Sequence, residues 1–558
     1  MRPTQLAGAA LMVAAAASHA QAQSIARQID RAPDGRIRMS FETRPEVCGT
    51  GRSIGEETAD GFVLYTFGRD YGYSIQTYDD WLPNCEHGPL RLVVTKRGGR
   101  IVDLAAAVGV EWQPDAAVPD LGMVEPAAAA SWLLDVAAEG NDDVGRIAFL
   151  AADAAANAEI ADRLLAMAQD RRLDSDVRER AMRWVNRAAA REAKSDAADE
   201  VLRNIAESQD DVHDVRERAI RTLRQTAAND AYLRTLYSSL DDRELKERVI
   251  RRLGESPTVD NVQWIAAIAI TSGESLVLRE RAIRVIGAEL DRPDDVRDMF
   301  DRLDHRALKE RALRVVAEQT GSAANPWLRT VAADRGQAIN VRDRAVRMLG
   351  ERATGEELLE LYRELDAVRL RERVVRIAGE MQTPASREWL RSVALDQNEH
   401  SQVRDRAVRI LCDGDGAEAR TLFDRLESVQ LKDRALRMAG AARDPGTNEW
   451  LRDIALDETQ RSEFRDRAIR ILADRAMASV ELAELYDRLD RSDLRRRVIR
   501  ILADRGDEQA IEKLIAIAQS DPDADLRRYA VRRLGEVDHP KAREFLEGVL
   551  RSPRDEAS

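Results

Sequence analysis

One heptapeptide recurs through most of this chain, and it constrains the fold more than any other feature. Val177-Arg178-Glu179-Arg180-Ala181-Met182-Arg183 returns as Val215 to Arg221 and as Leu278 to Arg284. Further copies begin at Leu245, Leu308, Val341, Leu370, Val403, Leu431, Phe464, Leu494 and Leu526, which makes twelve. After the first interval their first basic residues stand alternately 28–30 and 32–33 residues apart. A fixed period of this length means one supersecondary unit repeated, each copy unable to bury its apolar face alone.

The alternation points to a longer unit of about 63 residues made of two hairpins. One kind carries Trp then an aliphatic residue ahead of the heptapeptide, as in Trp264-Ile265, Trp327-Leu328, Trp389-Leu390 and Trp450-Leu451. The other carries an aliphatic or Met residue then an aromatic, as in Leu236-Tyr237, Met299-Phe300, Leu361-Tyr362, Leu422-Phe423 and Leu485-Tyr486. Each repeat therefore reads as helix A, turn, helix B, with the heptapeptide on helix B. At helical spacing Val341, Ala345, Val346 and Leu349 share one stripe, with Asp343, Arg344 and Arg347 on the opposite side. The recurring Trp residues, flanked by apolar positions, read as core.

These segments resemble HEAT repeats over residues 126–552; Leu526-Arg527-Arg528-Tyr529-Ala530-Val531-Arg532-Arg533-Leu534-Gly535 is similar to that family's helix B pattern. The resemblance implies a mainly α fold, an α-solenoid of about 13 HEAT-like hairpins, with a degenerate capping repeat at Trp132-Leu133 and Val144 to Leu150. It implies no activity, because such arrays serve very different partners.

Ahead of the repeats, residues 24–124 alternate with a period of two and read as a small β domain. Its clearest unit is Leu90 to Lys96, a turn at Gly98-Gly99, and Ile101 to Leu104; paired glycines suit a tight hairpin. Arg36 to Phe41 and Phe62 to Phe67 read as further strands. Residues 1–22 read as a cleavable export signal: Arg2, an apolar stretch from Leu6 to Ala17, then the small-residue frames Ser18-His19-Ala20 and Ala20-Gln21-Ala22. The expected location is periplasmic or secreted. In that oxidising setting Cys48 and Cys85 form a disulfide, while Cys412 is a small buried thiol. Residues 553–558 read as a polar tail.

Charge narrows the function. Of 87 basic residues 80 are Arg, yet the net charge is −13, which argues against a nucleic-acid binder held by phosphate contacts. Ten copies of the heptapeptide place an acid four residues before an Arg, such as Glu179 with Arg183 and Asp466 with Arg470. A further Arg directly follows that position in eleven copies, the last of them with Arg496 in the acid's place: Arg180, Arg218, Arg248, Arg281, Arg311, Arg344, Arg373, Arg406, Arg434, Arg467 and Arg497. In HEAT-like stacks helix B usually lines the inner curve, so the resemblance implies an arginine ladder there. That ladder has two readings: it stiffens the stack by pairing with neighbouring acids, or it grips carboxylates through planar guanidinium forks.

The expected function is a non-enzymatic protein-binding scaffold in the cell envelope, whose partner is a protein with acidic segments. The alternative is a structural or stress-related envelope component in which the β domain does the recognising. An enzyme on a HEAT scaffold is disfavoured: the six His include no His-Glu pair, and His87, His305 and His539 stand in no cluster with ligand spacing. No metal, cofactor, nucleic acid or stable membrane insertion is expected, and the sequence leaves the oligomeric state open.

Overall fold

The computed structural model describes residues 20–50, 53–58, 61–66, 73–74, 85–109, 111, 115–139, 142–442, 444–475 and 477–551. The export segment up to residue 19, Phe67 of the third expected strand and the tail 553–558 lie outside the described residues. The chain forms two compact units, Met1–Arg292 and Pro293–Ser558.

The first unit opens with a helix over 20–31, whose Ala22, Ile25 and Ile29 are buried. Eight strands follow among the described residues: β1 Gly35–Phe41, β2 Val47–Gly49, β3 Ser53–Thr58, β4 Gly61–Thr66, β5 Tyr73–Ser74, β6 Leu90–Arg97, β7 Arg100–Ala107 and β8 Asp120–Met123. They make two four-stranded sheets, in the orders β7-β6-β1-β8 and β2-β3-β4-β5. β1 runs antiparallel to β6, with Phe41 opposite Leu90, and parallel to β8. Alternation decides the faces: Ile37, Met39 and Phe41 of β1 and Leu90, Leu92 and Val94 of β6 all point into the core. The β6–β7 turn is the expected glycine pair, with φ of +59° at Gly98 and +75° at Gly99. Asp34 accepts both their amides, which holds its carboxyl below the usual carboxylate range.

Cys48 and Cys85 are bonded as expected, 5.4 Å apart at Cα. Beside them Gly49 and Glu86 exchange two backbone hydrogen bonds of 2.9 and 2.8 Å. Gly109 is packed against this pair so closely that a Cβ there would lie 2.6 Å from the Gly49 carbonyl.

The sheet region shares one hydrophobic cluster with the first helical hairpins: Phe41, Leu92 and Leu104 belong with Trp132, Leu133, Phe149 and Leu164. The expected capping repeat is the hairpin Pro126–Glu139 and Asp142–Ala154, and its second helix lies against β7. Two polar devices fasten this junction. Lys96 is buried, and its ammonium gives all three protons to the carbonyls of Ile29, Asp30 and Ala32 at 2.6–2.9 Å, closing the C-terminus of the first helix. Asp153, also buried, receives Arg44 at 3.1 Å, Arg187 at 3.8 Å and Arg191.

Antiparallel helical hairpins account for the rest of both units, thirteen among the described residues, followed by a last helix, Pro540–Arg551. Their N-termini are capped by side chains as the sequence allows. Thr354 and Glu357, for instance, form a reciprocal capping box of 3.2 and 2.7 Å. Cys412 is buried, which pushes its thiol up to about 12 and leaves it unreactive. No helix of the described residues is long and apolar enough to cross a membrane.

Candidate functional site

The heptapeptide builds three distinct rows of cations on helix B, and the structure gives each a different job. The first basic position, which in sequence serves only to mark the repeat, is the most buried. Arg178, Arg279, Arg342 and Arg465 are 1–4 % exposed. Each sends its Nε–H to the carbonyl ten residues earlier, on Ala168, Ala269, Ala332 and Ala455 respectively, at 2.8–2.9 Å. Those carbonyls end helix A and have no partner within their own helix, so the guanidinium caps them. The acceptor residue is always Ala, whose single methyl leaves room for the incoming fork. The outer edge of the same group takes an acid from the following hairpin: Arg178 with Asp211, Arg342 with Asp366, both at 2.6 Å, and Arg465 with Asp490 at 2.5 Å. Asp366 and Asp490 are held below the usual carboxylate range by these hydrogen bonds.

In the alternate hairpins the same position rests on an aromatic ring instead. Lys246 lies 5.0 Å from the centre of Tyr237, Lys309 5.1 Å from Phe300, and Lys432 4.9 Å from Phe423. Where Arg stands there, Arg371 and Arg495 cover Tyr362 and Tyr486 and cap the carbonyls of Leu365 and Leu489 at 2.8 Å. Each tyrosine hydroxyl donates to an acid of the next hairpin: Tyr237 to Glu274, Tyr362 to Glu399, Tyr486 to Asp521, at 2.5–2.7 Å. Burial first, and then the carboxylate, push these phenols well above their usual range.

Of the recurring Trp residues, read from the sequence as core, Trp450 is buried while Trp264, Trp327 and Trp389 are half-buried, and all four join the two kinds of hairpin. Tyr237 meets Trp264 edge to face at 5.0 Å in the first unit. In the second, Phe300 meets Trp327, Tyr362 meets Trp389 and Phe423 meets Trp450 at 5.1–5.8 Å. Such pairs add about 0.5–1.5 kcal/mol beyond the area they bury.

The second row is the eleven-member ladder. Seven of its members reach the acid of the preceding helix B. Arg218 pairs with Glu179 at 3.2 Å, Arg248 with Glu217, and Arg281 with Glu247 at 3.1 Å. In the second unit Arg373 pairs with Asp343 at 2.9 Å, Arg434 with Asp405 at 2.7 Å, Arg467 with Asp433 at 3.1 Å and Arg497 with Asp466 at 2.5 Å. Arg180, the first rung, is buried over Gly145 and donates to the Asp176 carbonyl at 3.0 Å. Arg311 is engaged as well. Arg344 is half-buried and Arg406 exposed, and neither forms an ion pair among the described residues. The ladder thus stitches neighbouring hairpins together, each rung contributing about 0.5–1 kcal/mol at this exposure.

Two expectations change here. Asp343, placed by its helical angle on the solvent side, is 2 % exposed, because the next hairpin brings Arg373 down onto it. Glu179, expected to pair with Arg183 one turn on, turns to Arg218 instead.

The third row closes each heptapeptide and is exposed except at Arg251 and Arg284, which are half-buried. Arg347, Arg409, Arg437 and Arg470 reach back four residues to Asp343, Asp405, Asp433 and Asp466 at 2.5–3.4 Å. Each of these carboxylates therefore sits between two guanidiniums.

One group among the described residues brings metal-binding side chains together: ligand atoms of His213, Asp214 and Glu217 lie within 4.8 Å of one another. Its members have other work, since Glu217 pairs with Arg248 and His213 Nδ1 meets Asp242 at 3.2 Å. His213 opens its helix, so its neighbours in space come from the first turn and from the next hairpin.

Comparison with known proteins bears on the repeats. Residues 479–557 match the family described as HEAT repeats. No curated protein sequence matches the chain. Human deoxyhypusine hydroxylase is similar in structure at 15 % identity, covering 52 % of this chain and 99 % of its own, with a TM-score of 0.21. UNC-45 from Drosophila melanogaster aligns at 14 % identity over 73 % of this chain and 70 % of its own, TM-score 0.24. Importin beta aligns at 11 % identity over 73 % and 62 %, TM-score 0.24. Identities and scores this low transfer no function. The helical region is a HEAT-like α-solenoid, preceded by a small sheet region that carries a disulfide.

Proposed function

We propose that this chain is a non-enzymatic protein-binding scaffold of the cell envelope. The observation that carries the reading is the repetition of one exposed polar face. From hairpin to hairpin the same helix B positions return, buried cations cap helix A, and the outermost arginines remain in solvent. A surface of identical steps suits an extended partner that makes the same contact many times, and no step needs a reactive group. The envelope location is supported by the export-like segment 1–22 and by the Cys48–Cys85 bond, which an oxidising compartment maintains.

Proximity labelling in the native organism, with a tag at the C-terminus, tests both parts. A recurrent protein neighbour enriched in the envelope fraction is expected. Residence of the mature protein in the cytoplasm overturns the location. Labelling no stronger than that of an unrelated exported control overturns the scaffold.

A further inference from the structure

Five consecutive second helices of the Pro293–Ser558 unit, from Ile339–Gly350 to Ser462–Asp474, carry the outer row most regularly. The side chains of Arg347, Arg376, Arg409, Arg437 and Arg470 are each 44–45 % exposed. Uniform exposure over five repeats means that each guanidinium occupies the same place on its step.

The charge around them does not cancel. Asp343 serves Arg347 and Arg373, Asp405 serves Arg409 and Arg434, Asp433 serves Arg437 and Arg467, and Asp466 serves Arg470 and Arg497. One carboxylate between two cations leaves a full positive charge at every such step. In these five heptapeptides ten arginines at the ladder and outer positions face five acids, with Glu380, 3.9 Å from Arg376, as a sixth just beyond them, on a chain whose net charge is −13. Positive charge is therefore concentrated along this strip while the remainder of the chain is strongly acidic. Of each pair of arginines, the ladder member is the more buried, 22 % exposed at Arg373 against 44 % at Arg347. The outer member is the one an incoming anion meets first.

Spacing selects the anion. Packed helices of adjacent repeats lie about 8–10 Å apart. A peptide in the extended polyproline II conformation advances about 3.1 Å per residue with three residues per turn, so three residues span one step and every third side chain lies on the same edge. We propose that the row Arg347–Arg376–Arg409–Arg437–Arg470 docks an extended acidic peptide carrying a carboxylate at every third residue. This rests on the scaffold reading above and names the partner chemistry for it. Each carboxylate takes the solvent edge of one outer guanidinium, while the shared aspartate keeps its ladder arginine. A nucleic acid fits less well, because the aspartates along the strip and the acidic remainder of the chain repel a continuous polyanion.

Fluorescence anisotropy with the full-length protein tests this. The probes are a labelled peptide with Glu at every third position and Ser between, a peptide of the same composition with its Glu residues consecutive, and oligo-dT. The variant combines Arg347→Gln, Arg409→Gln and Arg437→Gln. Each change leaves its aspartate bound to the ladder arginine of the next hairpin, so the thermal melt should match that of the parent. Spaced-Glu peptide should bind best, and the triple variant should weaken it about tenfold. Equal binding of the two peptides, tighter binding of oligo-dT, or an unchanged affinity in the triple variant overturns the proposal. If the triple variant still labels the same envelope neighbour as the parent in the cell, the scaffold stands and the strip fails; loss of all labelling by the parent itself removes the scaffold.

Discussion

The sheet region and the helical hairpins of this chain are held together over very different sequence distances. In the sheet region the fastenings are long and occur once. Cys48 reaches Cys85, Lys96 reaches back 67 residues to Ile29, and Arg44 reaches 109 residues on to Asp153. In the hairpins each fastening is short and recurs: ten residues from the buried arginine to the carbonyl it caps, about thirty from one ladder rung to the next. A region built from single long contacts loses its organisation when one is cut. A region built from repeated short ones loses only the hairpin concerned.

The largest effect should come from the sheet region. Replacing Cys48 and Cys85 together with Ser opens a 37-residue loop and should cost about 3–4 kcal/mol on the chain-entropy estimate. Hydrogen exchange should then show faster exchange across β1, β6 and the hairpin Pro126–Glu139/Asp142–Ala154, which share the cluster. Protection loss confined to the residues beside Cys48 and Cys85 would break the comparison.

Arg465→Ala should come next, at about 2–3 kcal/mol. It uncaps the Ala455 carbonyl and leaves Asp490 without its buried partner. Asp490 is partly exposed and rehydrates, which keeps the cost below that of a fully buried pair. Here exchange should quicken in the hairpins around residues 445–505 and leave the strands as they were. Tyr362→Phe should be the smallest, about 1 kcal/mol, because it removes one hydrogen bond to Glu399 and keeps the ring against Trp389. A denaturant midpoint unmoved by Tyr362→Phe would mean that Glu399 is satisfied by Arg371 alone.

The hairpins were legible because two kinds of contact alternate at fixed offsets, so twelve heptapeptides mark helix B twelve times. The Gly98-Gly99 turn and the Cys48–Cys85 bond could be read for simpler reasons, a backbone requirement and a compartment. The helix over 20–31 was harder: its Ile25 and Ile29 are one turn apart, but its start overlaps the export-like frames at Ala20 and Ala22. The candidate site was legible in composition and not in burial. Residue type marks Arg342 and Asp343 as surface groups, whereas both are buried, because the acid or cation that makes burial tolerable comes from the neighbouring hairpin. The ten-residue interval between Ala and the first Arg was the available signal, visible at Ala168/Arg178, Ala206/Arg216, Ala269/Arg279, Ala332/Arg342, Ala394/Arg404 and Ala455/Arg465.

The alternation of Trp-bearing and Tyr- or Phe-bearing hairpins restricts how a gene for such a chain can lengthen or shorten. Excising the single hairpin Gly355–Met381 would take Tyr362 away from Trp389 and set two Trp-bearing units side by side, with no edge-to-face mate for the second. Excising two consecutive hairpins restores like to like across the scar. Recombination that produces viable descendants should therefore move in steps of about 63 residues, so the parity of the hairpin count is inherited even where the count is not.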